Sequence, residues 1–304
     1  MQSIEAGQRR TGMLLYLLGV FLFAANDALG KWLVADYSVG EVMLVRSVGA
    51  FAILVILAKA QGRSLAVSGQ WGLQIARILF LTIDTYCFFT GVQGLPLADV
   101  MTFYMAAPLI VTALSGPLLG ERVGPRRWAA VLLGFVGVVI ALAPTSAAIS
   151  PYAIIALGGS LMFALSLIVT RKLRDNHWMP LVTWQFVGAG LIGGAASPFG
   201  WLTPGPTDLL LMLLVGAVSA FCFVCITRAL ALAPASLLVP FQYSAIVWAG
   251  ILGWMIWRDV PTPRILLGNG IIIACGLFVY LRERQLGLLP EARLDPHTNL
   301  PRDP

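Results

Sequence analysis

An all-α membrane protein of ten transmembrane helices is the fold this sequence predicts, and three observations predict it. Of the 304 residues, 59% are hydrophobic and only 11% are charged, against about 25% charged residues in a soluble domain. Apolar runs long enough to cross a hydrocarbon core, about 20 residues each, follow one another along nearly the whole chain. Those runs are continuous rather than alternating, so they read as helices and not as strands of a barrel.

The spans are placed at 13–35, 41–60, 71–91, 97–119, 126–143, 151–172, 179–199, 207–231, 235–257 and 264–282. Breakers separate them: Gly62-Arg63-Ser64, Gly94-Leu95-Pro96, Gly124-Pro125, Ala143-Pro144-Thr145-Ser146, Thr203-Pro204-Gly205-Pro206 and Val260-Pro261-Thr262-Pro263. Arg9 and Arg10 precede the first run, but no A-x-A cleavage site follows it, so it is read as a span and not as a signal peptide. Residues 1–12 form an N-terminal segment, and the polar, proline-dotted stretch 283–304 reads as a disordered tail.

Net charge is +6, yet the basic residues sit in short clusters between apolar runs. That is the positive-inside pattern and not a nucleic-acid patch. Lys59, Arg63, Arg122, Arg126, Arg127, Arg171, Lys172, Arg174, Arg282 and Arg284 all fall on one face if both termini are cytoplasmic. The loops around Tyr37, Gln93, Thr145 and Pro204 hold no Lys or Arg. Arg258 and Arg264 break the rule. The expected setting is a bacterial inner membrane, with the lipid bilayer and a small molecule as partners.

Cys87, Cys222, Cys225 and Cys275 all lie in apolar segments, so no disulfide framework is implied. Cys222-x-x-Cys225 has redox spacing but lacks the soluble setting that makes such pairs reactive; packing is the better reading. Glycine spacings such as Gly134-x-x-Gly137 and Gly190-x-x-x-Gly194 allow close helix approach within one chain, and leave a homodimer open.

A weak internal repeat organises the chain. Leu95-Pro-Leu-Ala-Asp through Gly120-Glu-Arg-Val resembles Leu232-Ala-Pro-Ala-Ser through Trp257-Arg-Asp-Val, and Ala24 to Leu33 lines up loosely with Ala164 to Leu173. Two halves of five helices, 13–145 and 146–282, must run in opposite senses because five is odd. Arg258 then becomes a basic loop carried to the opposite face. Inverted repeats of this kind characterise secondary transporters, which bind their substrate between the halves.

With these residues in hand the chain resembles the drug/metabolite transporter superfamily, in particular its EamA/RhaT-type ten-helix members. The likeness is carried by Asn26-Asp27-Ala-Leu-Gly-Lys31, by Arg46, and by a block from Phe88-Phe89 through Leu95-Pro-Leu-Ala-Asp99, Ala107-Pro108-Leu and Leu119-Gly-Glu-Arg-Val123 to Gly134-Phe-Val-Gly137. It covers about residues 12–282. The second repeat departs from the pattern, with Trp257-Arg-Asp in place of Gly-Glu. The resemblance implies movement of small metabolites through a central cavity by alternating access, without ATP; export of drugs or cationic compounds, and import of riboflavin- or nucleoside-type metabolites, are the alternatives it leaves open. Consistently, the sequence holds no Walker motif, and no cofactor or metal is expected.

Ionisable groups inside a membrane cost roughly 2.5–3.5 kcal/mol each on insertion scales, so they mark function by default. Asp27, Lys31, Arg46, Arg77 and Asp84 stand out, three cations against two anions. One reading makes them a cavity for an anionic or zwitterionic metabolite, with Asp84, or Asp27 as second candidate, exchanging a proton. The other makes Asp27–Lys31, spaced i,i+4, and Arg46–Asp84 internal ion pairs. The expected binding set is Asp27, Arg46, Arg77, Asp84, Tyr104, Trp184, Gln242 and Tyr243. Gln185 and Trp248 also sit inside spans. Lys31, Glu121 and Asp259 are expected to be structural. A membrane-embedded enzyme is the remote rival, because neither H-E-x-x-H nor G-x-S-x-G occurs and both histidines lie outside the spans.

Overall fold

The computed structural model describes residues 2–66, 69–120, 124–142, 150–173, 177–232 and 238–285. Among the described residues all regular structure is helical, as a bilayer that satisfies no backbone polar group demands. In chain order these are α1 (Gln2–Leu33), α2 (Val39–Ala60), α3 (Trp71–Gly94), α4 (Leu97–Tyr104), α5 (Ala107–Leu119), α6 (Pro125–Leu142), α7 (Pro151–Lys172), α8 (Trp178–Ala196) and α9 (Pro206–Leu232). A 3-10 turn (Val239–Tyr243), α10 (Ser244–Trp257) and α11 (Pro263–Gln285) complete the chain. Predicted Glu121 and the stretch from 286 lie outside the described residues.

The ten spans follow. Pairs α4–α5 and the 3-10 turn with α10 make up the fourth and ninth, each broken where the sequence predicted one continuous helix. Several ends differ by a few residues from those predicted. Helix α1 begins at Gln2, ahead of the apolar span it carries over Arg10–Leu33.

Helix pairing displays the inverted repeat directly. The broadest contacts join α3 to α7 and α1 to α9. Exchanging the halves turns span one into span six and span eight into span three, so these two contacts are images of each other. The α2–α8 and α6–α11 contacts, second on seventh and fifth on tenth, map onto themselves. The protein is an all-α membrane protein of ten transmembrane helices in two inverted five-helix repeats.

Its outer surface is apolar. Ile75, Leu79, Ile83 and Tyr86 form an exposed stripe along α3, and Leu132, Leu133, Val136 and Val139 another along α6. Contiguous apolar surface on this scale is a lipid-facing feature, since soluble monomers keep such patches to a few hundred Å².

Small residues let the helices close up. A Cβ on Gly216 would collide with the Arg46 carbonyl, so only glycine lets α9 lie against α2 there. Gly137 and Gly190 likewise pack against Ile271 and Ser47 of the same chain.

Where α5 ends, Gly120 caps it in the left-handed region at φ 71°; where α10 ends, Arg258 takes the same role at φ 61°. The left-handed backbone costs a side-chain-bearing residue roughly 1–2 kcal/mol. Replacing Arg258 by Gly is therefore expected to raise the thermal midpoint of the purified protein in detergent, whereas Gly216→Leu should lower it by overpacking, about 1–3 kcal/mol.

Candidate functional site

The two interruptions set the site. Pro108, one residue into α5, has no N–H for the carbonyl of Tyr104, and the helix breaks at Met105-Ala106. Ser160 of α7 donates to the neighbouring Phe103 carbonyl at 2.9 Å, which compensates for lost helix bonding inside the membrane. At the matching break of the ninth span the Ser244 hydroxyl donates to the Phe241 carbonyl at 2.6 Å. Discontinuous helices at equivalent places in two repeats are where transporters of this architecture build their sites.

Between the breaks lies a cavity of about 420 Å³, within the roughly 300–1,000 Å³ usual for small-molecule sites. Its lining stops at Asp27 on α1 and Arg46 on α2 and extends along α1, α7 and α9 to Tyr16, Leu167 and Ile226. It thus runs from mid-membrane toward the end that carries the termini. The opposite end is filled by Leu33, Val34, Val42, Met43, Leu97 and Val100, all at most 1% exposed.

The cavity has three charged side chains: Asp27, Asp84 and Arg46. The Arg46 guanidinium lies 5.1 Å from the Phe89 ring centre and 6.0 Å from that of Phe186. It has Asp27 and Asp84 as electrostatic neighbours. Among the described residues it reaches neither at ion-pair distance. Tyr104 stacks edge-on to Phe88 at 5.3 Å and donates its hydroxyl to the Asp84 main-chain carbonyl at 3.1 Å. A Cβ on Gly159 would strike that hydroxyl, so the glycine makes room for it. Oδ1 of Asp84 and Oε1 of Gln185 are buried with no hydrogen-bond partner among the described residues. Every ionisable lining group except Tyr16 and Tyr104 is one of these three, and all five come from the first repeat. The second repeat supplies Phe163, Phe186, Phe223, Gln185 and Gln242.

Of the residues expected in the site, Asp27, Arg46, Asp84, Tyr104 and Gln242 line this cavity, and Arg77, Trp184 and Tyr243 do not. Arg77 turns away to donate to Thr170 Oγ1 and the Leu181 carbonyl, both at 2.8 Å, and ties α3 to α7 and α8. Trp184 donates to the Leu65 carbonyl and stacks on Trp71 near the end that carries the termini. The Tyr243 ring packs where Gly276 leaves space. Lys31 does not pair with Asp27; it reaches Asp259 at 3.3 Å. The expected surplus of one positive charge becomes one negative, because two of the three cations are used elsewhere. Asn26, Gln185, Thr85 and the phenylalanine wall join the lining. Of these, Gln185 is already marked in the sequence by its place inside a span, and the same signal, polarity inside an apolar run, was available for Asn26.

The chain matches the model of the EamA-like transporter family twice, over residues 10–143 and 150–281. It is 26% identical over 286 residues to a riboflavin transporter of Rhizobium johnstonii, covering 92% of this chain and 94% of that one. It is 23% identical to an S-adenosylmethionine uptake transporter of Rickettsia bellii, covering 89% and 93%. A pseudopaline exporter of Pseudomonas aeruginosa shares 26% identity, covering 88% and 95%. A solved crystal structure shares the fold with a TM-score of 0.65 at 16% identity, over 90% of this chain and 97% of that one.

Ser160→Ala should remove one of the two donors to the Phe103 carbonyl, the Ala106 N–H remaining at 3.1 Å, and cost about 0.5–1.5 kcal/mol. The melting temperature in detergent should fall, while Ser166→Ala, whose hydroxyl only bonds the Phe163 carbonyl of its own helix, should leave it unchanged.

Proposed function

The chain belongs to the EamA-like transporter family, and from that premise we propose that it is a secondary active transporter of a small zwitterionic metabolite with an apolar or aromatic body. It works by alternating access in a bacterial inner membrane. It is a multi-pass membrane protein of transporter kinship and not an enzyme. With both termini cytoplasmic, as the Lys and Arg distribution favours, the cavity faces the cytoplasm. The moving repeats are 13–145 and 146–282, flanked by 1–12 and 283–304.

The observation that carries this reading is the charge set: one guanidinium between two carboxylates in an aromatic wall. Arg46 matches a substrate carboxylate, and the N-terminal ends of α5 and α10 add positive dipole ends at the breaks. Asp27 and Asp84 match a cation, and the phenylalanine faces attract one further. A plain anion, part of the expectation from sequence, fits only when a carboxylate is protonated, because with both ionised the three groups already sum to one negative charge. The two carboxylates exceed the one guanidinium, so one of them must be balanced by a proton or by the substrate's cation. Competition between those two for Asp84 is a physical route to exchange coupling.

The relatives named for S-adenosylmethionine and riboflavin supply probes. S-adenosylmethionine carries a sulfonium, an α-amino acid and a purine; riboflavin carries no cation. Purified protein should be thermally stabilised by the first and not by the second. The reverse result sinks the zwitterion reading.

In proteoliposomes, S-adenosylmethionine flux through Asp84→Asn at matched abundance should fall about tenfold or more. That is the loss expected of one charge-assisted contact worth about 1.5–3 kcal/mol. The residual flux should ignore a pH gradient. Wild-type flux with a wild-type pH response would reduce Asp84 to a strut.

A further inference from the structure

The end of the molecule away from the termini is held shut by little charge, and that charge is arranged in an unusual way. Lys31 stands one turn beyond Asp27 on α1. Its Nζ lies 3.3 Å from Asp259 Oδ2, 3.1 Å from the Leu95 carbonyl and 4.7 Å from the centre of the Trp257 ring. Lys31 and Leu95 belong to the first repeat; Trp257 and Asp259 belong to the second. Among the described residues this is the only side-chain ion pair, and it crosses between the repeats directly beyond the plugged end of the cavity.

As a strut the pair is a poor device. Asp259 is 30% exposed, and exposed ion pairs are worth only about 0–1 kcal/mol. A contact that must break once in every transport cycle has to be weak in just this way.

A second carboxylate stands by. Asp99 sits one turn beyond Leu95, in the first turn of α4, and has Asp259 and Lys31 as electrostatic neighbours. Asp99 shares the first repeat with Lys31. When the repeats part here, Lys31 loses Asp259 and Trp257 together and keeps only the neutral Leu95 carbonyl, so its charge needs a new partner. The two carboxylates repel each other, so release of Lys31 from Asp259 favours parting.

We propose that Lys31, Asp259 and Asp99 form the gate at this end: Lys31 bridges to Asp259 when the gate is shut and passes to Asp99 when it opens. The proposal rests on the alternating-access reading, and its test reads the gate without any substrate.

The protein is stripped of its four cysteines and given one reporter, Thr85→Cys, in the cavity wall. A membrane-impermeant maleimide is then applied to oriented vesicles from the face opposite the termini. Labelling from this face should be slow, and Asp259→Asn should speed it about fivefold, the shift in open population that loss of an exposed pair allows. The exchanged pair, Lys31→Asp with Asp259→Lys, should slow it again. Adding Asp99→Asn to Asp259→Asn should also slow it, because the open state loses the carboxylate that receives Lys31. An unchanged rate in Asp259→Asn, or an exchanged pair that labels as fast as Asp259→Asn alone, overturns the latch. An unchanged rate on adding Asp99→Asn overturns the transfer. Failure of every probe to be transported would leave these rates standing, and unchanged rates would leave the transport reading standing.

Discussion

A bilayer offers no hydrogen bonds, and most of this molecule follows from that one deprivation. Every backbone amide in the membrane must find its partner inside the protein, so all regular structure among the described residues is helical. Irregular backbone is then admissible only where other side chains repay it. Ser160 and Ser244 do so at the two breaks, and the breaks in turn bring Tyr104, Met105 and Gln242 to one cavity. The same deprivation explains why the cavity holds few charges, and why each of them lies next to a ring or an opposite charge.

The two repeats are alike in packing and unlike in chemistry. The broadest contacts between helices exchange when the halves are exchanged or map onto themselves, although α2 lies against α9 more broadly than α3 against α8. Polar function does not: the carboxylates and the guanidinium belong to the first half, and the second faces them with amides and phenylalanines. Duplication thus accounts for the scaffold.

The scaffold was legible because its determinants are local. Length, apolarity and breakers announce a span without reference to anything else, and the offset between Leu95-Pro and Leu232-Ala announces the repeat. Asp27, Arg46 and Asp84 were legible too, since a charge in an apolar run is costly wherever the run is placed. What escaped were partners. Nothing near Arg77 in the chain reveals the Thr170 hydroxyl or the Leu181 carbonyl, 93 and 104 residues away. Lys31 lies at pairing distance from Asp27 by helical spacing, yet it takes a carboxylate 228 residues distant. The apolar pattern around Pro108 reads as one continuous fourth span; the proline could have signalled the break, but the Ser160 hydroxyl that supports the broken form lies 57 residues away in the chain.

One small oddity bears on the proposed gate. In the first repeat a glycine turns the chain at the end of α5; in the second an arginine is bent into the same left-handed turn, and its neighbour is Asp259. A side-chain-bearing residue held in that region stores about 1–3 kcal/mol of strain. Arg258 does not line the cavity, but under the gate we propose its strain would weigh against the shut form, in which Asp259 beside it holds Lys31.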